Sequence, residues 1–208
     1  YALTKSALAM PHLPATGVSG VDLYALDGTN WRYVATHLPD EQEITTKLCD
    51  RLAGGRRKYL AHLPRYNGVK SMEIGLPASE NKSFAPIKPR KEKPILFYGT
   101  SITQGGCASR PGMAFTNILG RRLGRPMLNF GFSGNGKMEI EVAQFLAEID
   151  AGVFVVDCNA NLATADDIDK RCVPLVTFLR SKRGTTMPIL LLDERLEPGS
   201  WLMPKVKK

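Results

Sequence analysis

The chain has 208 residues, of which 43% are hydrophobic and 23% are charged, a composition typical of a folded globular protein with one domain or two small ones. No apolar run reaches the length of a membrane span and no signal-peptide pattern is present, so we expect no membrane span, while secretion or a periplasmic location stays compatible with the sequence. The net charge of +8 comes from dispersed Lys and Arg residues, and the basic clusters at 56–58, 88–93 and 205–208 lack interleaved aromatic residues, which argues against a nucleic-acid partner.

Residues 1–86 have the pattern of antiparallel β structure. The stretch VDLYALDGTNWRYVAT (21–36) alternates with period two on both sides of Asp27-Gly28, which predicts a β-hairpin. RRKYLAHLP (56–64) and GVKSMEIGLP (68–77) predict two further strands, each stopped by a proline. We therefore predict a β-rich N-terminal domain over 1–86.

The pattern changes after a segment rich in proline and charge, and 87–93 is predicted to be a linker. The second domain, predicted over 94–208, contains four short and almost wholly apolar runs: PILFYG, PMLNFG, GVFVVD and PILLLD. Such runs are typical of strands that are buried on both faces. Helical patterns lie between them, which predicts a parallel α/β sheet.

Three helices are predicted in this second domain. The first covers about 111–123, with Pro111 at its start and Gly124 after its end. The second covers about 138–149, with apolar residues at 140, 143, 146 and 149 on one face. The third begins after Thr164, which is followed three residues later by Asp167, close to a capping box.

The residues that are suited to catalysis follow the ends of three predicted strands. The first strand is followed by GTSITQGG with Ser101, the second by GFSGNGK, and the third by DCNANL with Asn159 and Asn161. In open parallel sheets, functional groups gather beyond the carboxyl ends of the strands. A hydroxyl, backbone N–H groups of a glycine-rich turn and an amide side chain are the parts of an acyl-transfer site.

The glycine-rich turn also resembles a phosphate-binding loop. Gly131, Gly136 and Lys137 follow that pattern, but Met138 stands where a magnesium-binding Ser or Thr is needed. The phosphate-loop hypothesis also leaves GTSITQGG without a role. We therefore favour the acyl-transfer interpretation over nucleotide binding.

Three blocks carry a family resemblance. ILFYGTSITQGGCASRPGMAF (95–115), NFGFSGNGKME (129–139) and VFVVDCNANL (153–162) resemble the first three blocks of the SGNH (GDSL-like) hydrolase superfamily, in particular bacterial members with an N-terminal β-sandwich domain. The resemblance implies a flavodoxin-like three-layer α/β/α hydrolase domain preceded by a jelly-roll-like β-sandwich segment. We expect both domains to be incomplete in this chain.

The resemblance also implies roles for individual residues. Ser101 corresponds to the nucleophile, although Gly-Thr-Ser replaces the founding Gly-Asp-Ser. Gly134 corresponds to the oxyanion donor of the second block, through its backbone N–H, and the Ser101 N–H is a further donor. In the third block we assign the donor side chain to Asn161 rather than Asn159, because similar sequences have Asp-Cys-x-x-Asn; Asn159 is kept as a candidate substrate-binding residue.

The last block of the family, an Asp-x-x-His that supplies the general base and its orienting carboxylate, is not found in the sequence. The only histidines are His12, His37 and His62, all in the β-rich part. We interpret them as structural and expect the catalytic His and Asp to lie outside these 208 residues, so that the chain alone is inactive or nearly so. The four cysteines have no metal-binding spacing and are expected to be free thiols, and no metal or cofactor is implied.

The resemblance thus implies a serine esterase that removes acyl groups, such as acetyl, from a carbohydrate or other small ester. The alternative is a non-catalytic module that binds a carbohydrate or a protein through a degenerate hydrolase site. Trp31, Tyr33 and Tyr59 are compatible with a sugar-stacking face, although hairpin packing is the simpler interpretation.

Overall fold

A computed structural model describes residues 1–77, 84–193 and 202. Contacts divide the chain into two compact units: Tyr1–Lys91 with Cys107–Gly124, and Glu92–Gly106 with Arg125–Lys208. Residues 84–93, which include the predicted linker, form no helix or strand. The domain boundaries predicted from the sequence stay a prediction, and the basic cluster at 205–208 lies outside the described residues.

The structure contains nine strands and five helices within its described residues, together with two short 3-10 turns at Pro111–Met113 and Asn159–Asn161. In chain order they are β1 (Ala2–Leu3), α1 (Ala15–Ser19), β2 (Val21–Asp27), β3 (Asn30–His37), β4 (Tyr59–His62), β5 (Val69–Ser71), β6 (Ile95–Gly99), α2 (Ser101–Gln104), α3 (Phe115–Leu123), β7 (Met127–Gly131), α4 (Ile140–Leu146), β8 (Val153–Asp157), α5 (Ala165–Arg183) and β9 (Ile189–Leu191). None of the helices in 1–77 and 84–193 has the length and apolarity to cross a membrane.

The first unit contains two antiparallel sheets of sandwich-like character. One has the order β3-β2-β4 and the other pairs β1 with β5. The predicted hairpin is confirmed: β2 pairs with β3 from Val21↔His37 to Asp27↔Asn30, and Gly28 supplies the positive φ of 58° that the tight turn requires. The strand predicted over 68–77 is limited to three residues that pair with β1.

A polar cluster lies at the centre of the first unit. Asp22 is 0% exposed, and its carboxylate accepts hydrogen bonds from Thr36 Oγ1 at 2.6 Å, Arg110 Nη1 at 2.7 Å and the Gly112 N–H at 2.7 Å. A buried carboxylate is tolerated only when it is paired and hydrogen-bonded in this way. Asp22 therefore fixes residues 110–112 onto strand β2.

The second unit is built on a parallel sheet with the order β7-β6-β8-β9. Numbered along the sequence of this unit, the strands lie in the order second, first, third, fourth. This is the flavodoxin-like order, in which the direction of strand addition reverses at the first strand. The four apolar runs correspond to these four strands. The predicted flavodoxin-like α/β fold class is confirmed.

The core of the second unit is continuous across strands β6 and β8 and helices α4 and α5. Its fully buried members include Tyr98, Phe154 and Leu175. Helix α4 contributes Ala143 and Leu146, which both belong to its predicted apolar face. Burial of this apolar surface is the main stabilising contribution to the unit.

Two helices are shorter than their patterns predict, and tertiary contacts explain the difference. In the first, Gly112 donates its N–H to Asp22, and Ala114 has an extended ψ of 134°, so the helix begins only at Phe115. In the second, Met138 has a φ of 60° and Glu139 is an extended N-cap, so the helix begins at Ile140. The third helix begins after Thr164 with the predicted capping box, formed with Asp167.

Candidate active site

The three loops singled out in the sequence follow strands that are paired in register. Gly99, the last residue of β6, pairs with Gly131 at the end of β7 and with Asp157 at the end of β8. Because all three strands are parallel, their carboxyl ends lie at the same edge of the sheet. Strand order reverses at β6, so this edge is where such folds place their ligands.

Ser101 is the first residue of helix α2, two residues beyond the end of β6, and it is partly buried. Thr100 is the N-cap, and its hydroxyl oxygen accepts a hydrogen bond from the Ile102 N–H at 3.2 Å. The Thr100 N–H donates to Asp157 O at 3.2 Å. The turn that presents Ser101 is thus joined to the end of β8.

Residues 132–139, which we call the glycine loop, follow β7. Gly136 has a φ of 71°, and a Cβ at this position would lie 2.1 Å from Gly99 O, so only glycine allows the loop to approach the end of β6. Gly134 has the same φ of 71° but no atom within 4 Å of its Cβ position. The exposed side of Gly134 is therefore open, as approach of a substrate would require.

Asn161 and Asn159 lie in the 3-10 turn after β8 but contact different partners. Asn161 Nδ2 donates a hydrogen bond to Asn135 O in the glycine loop. Asn159 Nδ2 donates to Leu192 O at 3.3 Å, beyond the end of β9. Thr164, and neither asparagine, caps the following helix.

Asp157, the last residue of β8, joins helix α2 to the same edge of the sheet. Its carboxylate accepts a hydrogen bond of 2.6 Å from the buried Thr103 hydroxyl. Burial raises the pKa of Asp157, and the hydrogen bond from Thr103 opposes this effect. Because Thr103 belongs to helix α2, this contact fixes the helix that begins with Ser101.

Met138 explains why the phosphate-loop pattern is broken. Its side chain is 3% exposed and belongs to the core of the second unit. A Ser or Thr in this place would direct its hydroxyl into an apolar cluster, with no route to a magnesium ion. The last position of the pattern therefore serves packing.

Sequence analysis missed two residues that organise these loops. Gln104 Oε1 accepts a hydrogen bond from the Ser133 N–H at 3.0 Å. Asn129 donates to Thr103 O at 2.6 Å and accepts from the Gly131 N–H at 3.0 Å. The only available signal was Asn129, a polar residue in an otherwise apolar strand.

Two histidines of the first unit, His37 and His62, contact side chains of the same unit. Arg121 Nη1 donates to His62 Nε2 at 2.8 Å, and burial together with the Arg121 charge lowers the pKa of His62 to about 4. His37 Nδ1 lies 3.0 Å from the Tyr1 hydroxyl. Arg110 lies over one face of the ring of Tyr33, one of the candidate sugar-stacking residues, with its guanidinium carbon 4.3 Å from the ring centroid; the residue is 51% exposed.

Neither a metal nor a disulfide site emerges from the described residues. No group of three or more His, Cys, Asp or Glu side chains lies close enough to hold a metal ion in 1–77 and 84–193. All four cysteines are free, and burial raises the pKa of the Cys158 thiol to about 12. A buried thiol of this kind is unreactive at neutral pH.

Two family profiles together account for most of the sequence. The profile described as "GDSL-like Lipase/Acylhydrolase family" matches residues 92–208, which include all three strand-end loops. The chain belongs to this GDSL-like family. Residues 1–82 match a second profile, described as "N-terminus of Esterase_SGNH_hydro-type" and named GxDLY; the sequence Gly-Val-Asp-Leu-Tyr at 20–24 contains Asp22 of the polar cluster.

Solved structures agree with the GDSL-like assignment. A protein described as a GDSL-like lipase from Bacteroides ovatus ATCC 8483 is 36% identical, with a TM-score of 0.81, over 91% of this chain and 55% of its own. The salicylyl-acyltransferase SsfX3 from a tetracycline biosynthetic pathway has 19% identity and a TM-score of 0.60. The match covers 82% of this chain and 51% of SsfX3. A family two carbohydrate esterase from Clostridium thermocellum, solved with cellohexaose (17% identity, TM-score 0.59), is covered over 68% by 90% of this chain.

These comparisons define what is established for this GDSL-like chain. The two more distant structures share its fold, and the chain spans about half the length of the Bacteroides ovatus protein, at 55%. A comparison with proteins of curated function gave no match. The family and the fold are therefore established.

Proposed function

We propose that the protein is a serine acyl hydrolase that acts on ester bonds, with Ser101 as its nucleophile. The observation that carries the proposal is the shared edge at the carboxyl ends of β6, β7 and β8. There the turn before Ser101, the glycine loop and the 3-10 turn with Asn161 follow strands whose last residues are paired. Membership of the GDSL-like lipase/acylhydrolase family supports the same reaction class.

In the proposed mechanism, Ser101 Oγ attacks the ester carbonyl carbon and forms a tetrahedral intermediate. A histidine accepts the serine proton and returns it to the alcohol that leaves, and water then hydrolyses the acyl-enzyme by the same steps. The negative charge on the former carbonyl oxygen is stabilised by the N–H groups of Ser101 and Gly134 and by the Asn161 amide. No metal or cofactor takes part.

The Asn161 amide suits this role because it has two N–H donors. One donates to Asn135 O in the glycine loop, which holds the amide next to the loop that contains Gly134. We assign the second N–H to the oxyanion. Asn159 donates instead toward Leu192 O, and we assign it at most a substrate contact.

We propose that the general base is a histidine outside these 208 residues, with its orienting aspartate. His62 is held by Arg121 and its pKa is lowered to about 4, so it is a weak base at neutral pH. His37 is engaged by Tyr1. The experiments below therefore use the product of the complete reading frame as the intact protein.

For the substrate, we propose an acetyl or similarly short acyl ester on a carbohydrate. The open surface beside Gly134, where nothing lies within 4 Å of the Cβ position, gives a bulky alcohol room at the rim. The carbohydrate esterase of the same fold makes acetylated sugars the first substrates to test. Acetylated sugars and p-nitrophenyl acetate should be hydrolysed faster than long-chain acyl esters.

Trapping of the acyl-enzyme tests the mechanism directly. The intact protein, mixed with p-nitrophenyl acetate and quenched in acid, should show an acetyl group on the peptide that contains Ser101, because deacylation needs a second passage through the tetrahedral state. Mass spectrometry of the digested protein provides the measurement. Acetyl on another side chain, with none on Ser101, would refute the assignment of the nucleophile; saturable carbohydrate binding without hydrolysis would favour a binding module.

Asn161→Ala should lower kcat of the intact enzyme by about 10² to 10³, the usual effect of losing one oxyanion donor. KM should change little, because the interaction forms mainly in the transition state. Asn159→Ala is the matched control, since it removes an amide from the same turn, and we expect a much smaller loss. A larger loss in Asn159→Ala than in Asn161→Ala would show that the two asparagines had been assigned in the wrong order.

A further inference from the structure

The glycine loop is anchored at its far end by a side chain with no assigned role. Glu139, the last residue of the loop, directs its carboxylate back along the chain and accepts a hydrogen bond from the Lys137 N–H at 2.7 Å. The same carboxylate oxygen accepts a hydrogen bond from the Tyr98 hydroxyl. Glu139 is also the N-cap of α4, but its side chain makes no capping hydrogen bond there, so its contacts serve the loop.

Tyr98 is the fourth of the five residues of strand β6 and is 1% exposed. Its hydroxyl donates to the Glu139 carboxylate and accepts a hydrogen bond from the Glu139 N–H at 3.1 Å. Burial raises the pKa of Tyr98, and the bond to Glu139 adds to the effect. Burial opposes ionisation of Glu139, but the hydrogen bonds from Tyr98 and from backbone N–H groups outweigh it and lower the pKa of the carboxyl.

The backbone between Gly134 and Glu139 needs such an anchor. Gly134, Gly136 and Met138 all have positive φ, at 71°, 71° and 60°. For Met138, which has a Cβ, this conformation is strained and persists only when the surroundings enforce it. The preceding residue is held at both of its backbone polar groups, because Glu139 accepts from the Lys137 N–H and Arg171 Nη1 donates to Lys137 O at 3.1 Å. The following residue is held as well, since the Glu139 N–H donates to the Tyr98 hydroxyl at 3.1 Å.

We infer that Glu139, held by Tyr98, is a positioning residue that fixes the glycine loop so that the Gly134 N–H is directed at the oxyanion. The inference rests on the proposed function. Glu139 does not touch the reacting atoms; it acts through Lys137 N and the strained turn. Strand β6 thereby fixes both parts of the site, since Ser101 follows it directly and Tyr98 within it holds the loop.

The test is the preference of the intact enzyme for an oxygen ester over its thiono counterpart, in which sulfur replaces the carbonyl oxygen. An oxyanion site favours oxygen, because sulfur is larger and a weaker acceptor of hydrogen bonds. Glu139→Ala should lower kcat for p-nitrophenyl acetate by about 10- to 100-fold, as for a displacement of about 1 Å, with KM unchanged. The ratio of oxygen to thiono rates should fall as well, whereas a general loss of folded protein would lower both rates equally.

Two further variants give the controls. Glu141→Ala removes an exposed carboxylate two residues away, in the first turn of α4, and should change neither rate. Glu139→Gln should keep most of the activity and of the ratio, because its side-chain oxygen still accepts from Lys137 N–H and Tyr98. If Glu139→Ala folds poorly, Tyr98→Phe removes the hydroxyl that holds the Glu139 carboxylate and should lower the ratio in the same direction.

Amide hydrogen exchange of the glycine loop separates this inference from the proposed function. Loss of the anchor should accelerate exchange in 132–139 whether or not the protein is an esterase. Faster exchange with an unchanged oxygen-to-thiono ratio would overturn the positioning role while the esterase proposal stood. If Ser101→Ala hydrolyses the ester as fast as the wild type, the proposed function fails and the catalytic part of the inference fails with it.

Discussion

Replacing Ser101 with alanine should lower ester turnover by the intact protein by about 10⁴ to 10⁶. Loss of the nucleophile in a serine–histidine unit removes the covalent route, and only the oxyanion donors and substrate binding continue to act, which together retain about 10³ over water. The measurement is release of p-nitrophenol from p-nitrophenyl acetate at neutral pH. Ser181→Ala, which removes an exposed hydroxyl from helix α5, is the control and should leave the rate unchanged.

The same assay tests the origin of the general base. The 208-residue chain alone should hydrolyse the ester slowly, near the rate of the Ser101→Ala variant of the intact protein. If it is as fast as the intact protein, the base lies within these residues, and His37 or His62 must be reconsidered. A Ser101→Ala variant with full activity would show that the nucleophile is a different residue.

Much of the fold follows from local patterns in the sequence. The four apolar runs correspond to β6–β9. Strands β6 and β8 are mostly buried, which requires apolar side chains on both of their faces. The hairpin at Asp27-Gly28 and the capping box at Thr164 follow from backbone rules that act over two to four residues. Their energetic causes lie within the segment itself, so a sequence window contains the whole signal.

The helix starts were wrong where a distant residue competes for the backbone. Gly112 donates its N–H to Asp22, 90 positions earlier in the chain, so residues 111–114 do not join the predicted helix. Met138, at positive φ, follows Lys137, whose carbonyl oxygen accepts a hydrogen bond from Arg171, 34 positions later in the chain. No local propensity for helix or turn contains these contacts, which exist only after the chain has folded.

The features of the candidate site also fall into those that the sequence predicts and those that it does not. Placement of Ser101, Gly134 and Asn161 at three strand ends could be predicted from the strand pattern and the family resemblance, because parallel order brings those ends to one edge. Their chemical roles stay predictions. The supporting contacts of Gln104 and of Tyr98 with Glu139 could not be predicted, since a polar residue near a glycine-rich turn has many possible partners.

The grouping of residues 107–124 with the first unit was also beyond sequence analysis. This segment follows the Ser101 helix directly in sequence and shares an uninterrupted family match over 92–208. Its contacts with the first unit include the bond from Arg110 to Asp22, across 88 positions of sequence, and the contact of Arg121 with His62. The Gly-Val-Asp-Leu-Tyr motif, through Asp22, therefore binds residues 110–112, which belong to the sequence that matches the hydrolase family.

Asp22→Ala should consequently destabilise the first unit by about 3–5 kcal/mol, the usual cost of leaving one partner of a buried ion pair without the other. Asp22 is fully buried, whereas the Arg110 side chain is 23% exposed. Removal of the carboxylate also leaves Thr36 Oγ1 and the Gly112 N–H without their acceptor, and each unsatisfied buried group adds to the cost. The control is Asp27→Ala in the same strand. Asp27 forms an ion pair with Arg32 in which the two side chains are 64% and 72% exposed, respectively, and exposed pairs contribute at most about 1 kcal/mol.

Hydrogen exchange resolved along the chain is the appropriate measurement, since a protein with two compact units need not unfold in one step. In Asp22→Ala, protection should fall in β2, β3 and residues 110–123, while β6 and β8 of the second unit keep theirs. Equal protection in the Asp22→Ala and Asp27→Ala variants would mean that the polar cluster does not hold residues 110–112, and that apolar packing in this unit is sufficient to do so.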